Sequence, residues 1–332
     1  MGKGSLGGNS GRILLLWYEL TSALQKSIRW CEVNESRYFA RELMDMGYPG
    51  GVLNQLILIA AENVGLADPS LIVYEKRCLD TFDNLIKQYK MKKRDAVKFP
   101  TLCNIVNRAV IVAAISYKSR LFLQLSFATL FDIYQQEDFS ENLSEYLGRF
   151  DVALQKKNEK QATYYAYVLA IFLNSKAQIL TMIQRYSGME NKDLIQKWVE
   201  EYKRNNELLM LAGSIVLLCH NLRYPHGEYN DAICNHLYFL INAVNIPDRA
   251  YDMHTIAGKR KGRGFKNFFD EAAPVKNERF SNNWEQAGRT AYIRANQEGL
   301  GKAVKIIEAI KRNHERYKKP QKGEGIYSSA SV

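Results

Sequence analysis

The chain has 332 residues, 46% of them hydrophobic, enough apolar material for one large or two modest cores. Seven prolines and 21 glycines are few for this length and argue against a turn-rich β fold. The formal charge of +11 points to a polyanionic partner, nucleic acid before an acidic membrane surface.

Residues 1–12 read as a flexible arm, and the apolar run Ile13 to Trp17 is too short for a secretory signal. Leu6 stands where a myristoylation signal needs Ser or Thr. Leu16, Leu20, Ala23, Leu24 and Ile28 then fall on one face of a first helix. The second covers residues 35–44 and is closed by Gly47 and a Pro49-Gly50-Gly51 turn. Residues 52–64 form a third, apolar nearly all round and hence buried. Gly65 suits its C-cap, and Asp68 followed by Pro69 predicts an N-cap with proline at the first helical position.

Further helices are predicted over 69–90, 101–117, 119–136, 140–156, 159–186, 190–221 and 228–245. No segment sustains period-two alternation, so the expected class is all-α, a multi-helix bundle with a basic helical and loop region at its C-terminal end. The longest apolar stretch, Leu208 to Cys219, falls short of the roughly 18 residues that span a bilayer, and no membrane partner is expected. Past Pro247 glycines and cations interrupt the pattern, with helices resuming at 282–297 and 299–316. The organisation expected is thus an arm (1–12), a helical domain (13–137), a helical extension (138–247), a basic C-terminal region (248–317) and a disordered tail (318–332).

The charge is concentrated at one end. Residues 249–332 hold 18 Lys/Arg against 9 Asp/Glu, a surplus of 9 that leaves only +2 of the total +11 for the first 248 residues. Within that region Gly258-Lys259-Arg260-Lys261-Gly262-Arg263-Gly264, extended by Lys266, combines an open backbone with cations that neutralise phosphates. Phe265, Phe268 and Phe269 beside it either stack on bases or anchor the loop, and their spacing favours anchoring. Lys311, Arg312, Lys318 and Lys319 form a second basic run on a terminal helix.

Sites for catalysis are sparse. No Gly-x-x-x-x-Gly-Lys-Ser/Thr loop is present; Gly299-Leu300-Gly301-Lys302-Ala303 lacks the first glycine and the hydroxyl, so ATP hydrolysis is not expected. Cys219, His220, His226, Cys234 and His236 carry zinc-ligating atoms without the paired spacing of a zinc site, so neither metal nor cofactor is expected. Asp252 and His254 read either as a hydrogen-bonded turn or as a catalytic pair in an enzyme acting at residues 252–264. Five scattered cysteines without a CxxC fit reduced thiols in a soluble intracellular protein of the cytoplasm or nucleus.

Four segments in order resemble a known collar. They are Tyr18-Glu19-Leu20-Thr21-Ser22-Ala23-Leu24-Gln25-Lys26-Ser27-Ile28-Arg29, then Tyr38-Phe39-Ala40-Arg41, then Ala60-Ala61-Glu62-Asn63-Val64-Gly65-Leu66-Ala67-Asp68-Pro69, and last Ser116-Tyr117-Lys118-Ser119-Arg120. Over residues 16–120 they are similar to the C-terminal collar of the replication-associated recombination protein A family, clamp-loader-like AAA+ ATPases. The family's turn after the first helix is replaced here by Trp30-Cys31-Glu32-Val33. The resemblance implies oligomerisation, structural or interface roles for Lys26, Arg29, Glu62, Asp68 and Lys118, and a setting in DNA replication, recombination or repair, with an AAA+ ATPase as a candidate partner. The expectation is a non-enzymatic, homo-oligomerising protein that binds DNA or RNA through its basic quarter. Its rivals are a nucleocapsid-like packaging protein and the enzyme at residues 252–264.

Overall fold

Apolar spacing dictates the first helix of the computed structural model: α1 (Gly7–Arg29) turns Leu20, Ala23, Leu24 and Ile28 inward. It reaches back to Gly7, into the stretch expected as an arm. The structure describes residues 7–136, 142–173, 175–187, 191–205, 208–220, 244–280 and 283–318, with 7–15, 203–205 and 316–318 described as backbone alone. The helix expected over 228–245 lies outside the described residues except for its last two positions, as does all of the expected tail after Lys318.

Helix α2 (Val33–Asp45) ends at Gly47, whose φ of +91° lets Gly47 N–H and Tyr48 N–H return to the carbonyls of Met44 and Leu43 at 2.8 and 3.1 Å. The expected Pro49-Gly50-Gly51 turn is instead the first turn of α3 (Pro49–Ile59), where proline's missing N–H has no helical acceptor to lose. A π-helical turn (Ala60–Val64) follows, and Gly65 ends it at φ +47°. Helix α4 (Leu71–Gln88) starts two residues later than the Asp68-Pro69 signal predicts. Asp68, held extended before proline, accepts from Ser70 Oγ at 2.6 Å and gives its carbonyl to Leu71 N–H.

The chain continues through α5 (Pro100–Ile115), α6 (Leu121–Tyr134), α7 (Leu143–Gln155), α8 (Glu159–Ile171), α9 (Lys176–Tyr186), α10 (Lys192–Asn205) and α11 (Leu208–His220). The single helix expected over 159–186 is broken. Ser175 donates its hydroxyl to Leu173 O and its N–H to Leu169 O, an alternative to continuing the helical ladder. The span 190–221 likewise divides into α10 and α11.

After residue 244 a strap crosses back over α1. It carries the short α12 (Ile256–Arg260) and a π turn (Phe268–Ala272), before α13 (Glu285–Gln297) and α14 (Ala303–Lys318) close the fold. Among the described residues there is no strand, only one bridge between Lys118 and Glu278, and the class is all-α. One apolar core runs from Leu20 to Ile310 and so is shared by residues of 13–137, 138–247 and 248–317. Pro49–Ala67 is the described stretch long and apolar enough to cross a bilayer; it is 72% buried inside the protein, as a core helix is.

Helix α6 is central, packing against α8, α11, α13 and α14. Its approach to α13 requires Gly288, where an added Cβ would lie 2.7 Å from Gln124 Cβ and 2.8 Å from its Cα. Gly288→Val is expected to cost about 2–3 kcal/mol, measured as a lower urea midpoint at unchanged slope.

Glu75, on α4, is fully buried, and neither carboxylate oxygen has a hydrogen-bond partner among the described residues. Burial alone pushes its carboxyl well above the usual range. The folded state therefore keeps a proton that the unfolded chain releases, and this residue's contribution to stability falls as pH rises above the ordinary glutamate value. Glu75→Leu is expected to raise stability at pH 7 by about 1–3 kcal/mol and to flatten that pH dependence, read from thermal melts at pH 5 and 8.

Candidate nucleic-acid interface

Six separated parts of the chain line one cleft of about 470 Å³. Helix α1 supplies Tyr18, Thr21, Ser22, Gln25, Lys26 and Arg29, a polar stripe at helical spacing beside its apolar face. Arg120, Gln124 and Phe127 come from the start of α6, and Asp252, His254, Phe268 and Phe269 from the strap. Arg289 and Tyr292 project from α13, with Lys302 just before α14. Lys26, Arg29, Arg120, Arg289 and Lys302 face Glu62 and Asp252, five basic side chains against two acidic, so the cleft is positive.

The strap is fastened to α1 and to the turn before α6 largely through its main chain. Ser22 Oγ donates to Ala250 O at 2.9 Å, Arg29 Nη1 to Ala272 O, and Arg120 Nη1 to Ala273 O at 3.0 Å. Arg29 Nε also donates to Asn63 Oδ1 at 2.7 Å. At the end of α1, the Arg249 guanidinium and the Lys276 ammonium lie 5.0 and 4.9 Å from the centre of the Trp30 ring, while Glu32 pairs with Arg249. Trp30 and Glu32 thus add a second set of contacts to the strap beside those of Ser22, Arg29 and Arg120.

Lys26 is the charged link. Its ammonium lies 2.7 Å from Asp252 Oδ2, with both side chains at most 4% exposed, and donates to Ser22 Oγ at 2.6 Å. Burial lowers Lys26 to about 8, Asp252 opposing, and burial followed by the neighbouring Arg120 lowers Arg29 to about 9. Burial pushes the Asp252 carboxyl up, but the hydrogen bond from His254 and the charge of Lys26 outweigh it and hold it well below the usual range. His254 N–H donates to Asp252 Oδ1 at 2.9 Å, the hydrogen bond of the turn reading. Its ring meets both Asp252, at 3.2 Å from Nδ1, and the Tyr292 hydroxyl through Nε2. Burial raises Tyr292 to about 12, so at neutral pH this phenol donates and accepts hydrogen bonds as a neutral group.

The remaining residues singled out in the sequence are placed as follows. Glu62 is half-buried in the cleft and accepts from Gln25 Nε2 at 2.6 Å. Lys118 is buried at the end of α5, donating its ammonium to Ala113 O and Ala114 O, both at 3.1 Å, and to Ser116 O; burial lowers it to about 8. Lys26, Arg29 and Lys118 are therefore engaged within the chain. Asp68 is half-buried beside the start of α4.

In the glycine-flanked run, Lys261 pairs with Asp248 at 3.0 Å, Arg263 with Glu271, and Lys266 with Asp270 at 2.6 Å. Lys259 and Arg260 are exposed and make no ion pair among the described residues. Gly258 is the one glycine of the run that sequence reasoning misplaced: it sits inside α12, against Asp252 O, where an added Cβ would come within 1.9 Å. Phe268 is buried against Tyr292 as an anchor, whereas Phe265 and Phe269 are half-buried. Lys311 and Arg312 are exposed on α14; the Lys318 side chain and all of Lys319 lie outside what is described.

Among the described residues no three His, Cys, Asp or Glu side chains gather as metal ligands. Cys219 faces the core with its thiol raised to about 12 by burial, and His220 bonds to Glu159 at 2.7 Å; His226, Cys234 and His236 lie outside the described residues. Sequence reasoning missed Arg120, Arg289, Tyr292 and Lys302 as cleft residues. The polar stripe on α1 was the available signal, since a stripe so polar beside a buried face must meet polar partners. Comparison with protein-family models, with curated proteins and with solved structures gives no significant match.

Proposed function

We propose that this protein binds single-stranded nucleic acid in the cleft between α1, α6 and the strap, and catalyses no reaction on it. The observation that carries this reading is the joining, in one cavity of about 470 Å³, of the accessible cations Arg289 and Lys302 with Tyr18, Phe127, Phe268, Phe269 and Tyr292. Cations on a groove take up phosphates, and aromatic rings take up unpaired bases of any sequence. Lys259 and Arg260, exposed on the helix that follows cleft residue Thr255, extend the positive surface outward. Oligomerisation, an AAA+ partner and an accessory role in DNA replication, recombination or repair rest on the resemblance over residues 16–120.

Light-scattering mass with and without single-stranded DNA and RNA, over a salt series, tests the proposal. A discrete oligomer whose binding weakens steeply with salt supports it. Open-ended growth along the strand replaces the accessory role with packaging, and indifference to both nucleic acids overturns the binding reading. Among the described residues, the Asp252–His254–Tyr292 chain favours an enzyme instead. That reading requires a measured activity lost on His254→Ala while folding and strand binding persist.

A further inference from the structure

A charge total taken over most of the chain hides a second concentration of cations. Residues 87–99 carry six, Lys87, Lys90, Lys92, Lys93, Arg94 and Lys98, against the single acid Asp95, a surplus of 5. The first 248 residues total +2, so the others among them stand at −3 and this stretch is an island of positive charge. All six cations are exposed, at the end of α4 and on the short turn Lys93–Lys98 that leads to α5. Lys93 is drawn to Asp83 at 2.7 Å and Lys98 to Asp95 at 2.9 Å. Lys87, Lys90, Lys92 and Arg94 make no ion pair among the described residues.

Two features separate this patch from an ordinary solvated face. Lys90 closes α4 in the left-handed region, at φ +49°, with its N–H returning to Lys87 O at 3.1 Å and Met91 N–H to Ile86 O at 3.2 Å. Such a helix end favours glycine, because a Cβ there crowds the backbone, and a lysine bears that strain while adding an exposed ammonium. Tyr89 and Phe99 bracket the stretch, and the fold brings them together. Their rings are 6.3 Å apart with planes within 12°, and the residues are 53% and 41% exposed. The aliphatic residues between them, Met91, Ala96 and Val97, pack into the core instead. Unpaired nucleic acid uses both features at once, since its phosphates meet cations while its bases stack on ring faces. An acidic bilayer would find only two rings to bury.

We infer that residues 87–99 are a second contact surface for a single strand, on which Lys87, Lys90, Lys92 and Arg94 hold phosphates and Tyr89 and Phe99 offer stacking faces to bases. None of these residues lines the cleft. The inference rests on the proposed function for the identity of the ligand alone; its place on the molecule is independent of the cleft.

The test irradiates the full-length protein on a single strand in which iodouracil replaces thymine, and maps the crosslinked peptides by mass spectrometry. Crosslinks at Tyr89 or Phe99 are expected beside those in the cleft. Replacing Lys87, Lys90, Lys92 and Arg94 together by glutamine is expected to remove them. It is also expected to lower the slope of log affinity against log salt by about 3, at about 0.7 for each single-strand phosphate contact. All four are exposed, so the urea midpoint is expected to hold. Lys90→Gly is expected to weaken binding about 5-fold at 0.1 M salt without lowering the urea midpoint, an effect that a lysine serving only the helix end would not produce. Crosslinks confined to the cleft, or a glutamine variant with the parent's slope, overturn the second surface and leave the cleft standing. Crosslinks at Tyr89 or Phe99 with none in the cleft overturn the cleft and keep this surface. Indifference to the strand overturns both, and phosphatidylserine vesicles that then bind the parent and not the glutamine variant make the patch a membrane contact instead.

Discussion

Replacing Asp252 by alanine is expected to lower the unfolding free energy by about 3–5 kcal/mol near pH 6, because it strands the buried Lys26 ammonium without its carboxylate. The deficit is expected to shrink as pH rises. Burial already brings Lys26 down to about 8 against the opposition of Asp252, and without that opposition the folded-state value drops further. The folded variant then binds fewer protons than the unfolded chain up to the ordinary lysine value, and its stability climbs with pH over that interval. In the parent chain the acid side behaves oppositely. Asp252 is held below its usual range, so its contribution is present above the ordinary carboxylate value and is lost as pH falls through the folded one. Urea melts of both proteins at pH 6 and 9 measure this, and a deficit that is absent, or equal at the two pH values, contradicts a buried charged pair. The double variant Lys26→Met with Asp252→Leu is expected to return to within about 2 kcal/mol of the parent, since it removes both desolvation penalties together.

Neutralising Lys259, Arg260, Arg289 and Lys302 together as glutamines is expected to abolish most strand binding. Each phosphate contact on a single strand contributes about 0.7 to the slope of log affinity against log salt, so four contacts reduce that slope by about 3. At 0.1 M salt the same term corresponds to an affinity loss of several hundred-fold, about 4 kcal/mol. None of the four is buried, so the urea midpoint is expected to stay within about 1 kcal/mol of the parent's. Lys261→Gln, by contrast, removes a cation already 3.0 Å from Asp248 and is expected to change the slope little. If Lys261→Gln matches the quadruple variant, the pairing with Asp248 does not withhold that cation from the strand.

Helix existence was legible because burial imposes a local period. The repeat of Leu20, Ala23, Leu24 and Ile28 identifies α1 and its inward face without any tertiary information. Boundaries were less so. Asp68-Pro69 has the chemistry of a helix start, yet the residue before proline is pushed out of helical geometry and Ser70 takes the capping position. Ser175 interrupts an amphipathic pattern that runs on either side of it, and a pattern averaged over turns does not register one such residue.

The cleft was legible in pieces only. Lys26, Arg29 and Glu62 were singled out for a resemblance, Asp252 and His254 as a turn or pair, and the phenylalanines as anchors. That these share one wall is a matter of contacts between residues more than 200 positions apart, such as Lys26 and Asp252, which no local period encodes. The charge count singled out the glycine-flanked run, and counting cations does not show that Lys261, Arg263 and Lys266 already face Asp248, Glu271 and Asp270.

Carbonyl oxygens at Ala250, Ala272 and Ala273 receive the donors that fix the strap's course. Every amino acid brings such an oxygen, proline included. Those hydrogen bonds therefore ask nothing of the strap's side chains at the three points; what keeps these positions small is burial, Ala250, Ala272 and Ala273 being at most 5% exposed. The path over α1 is thus written twice, once in three donors lying well over a hundred residues upstream and once in the smallness of the alanines that meet them.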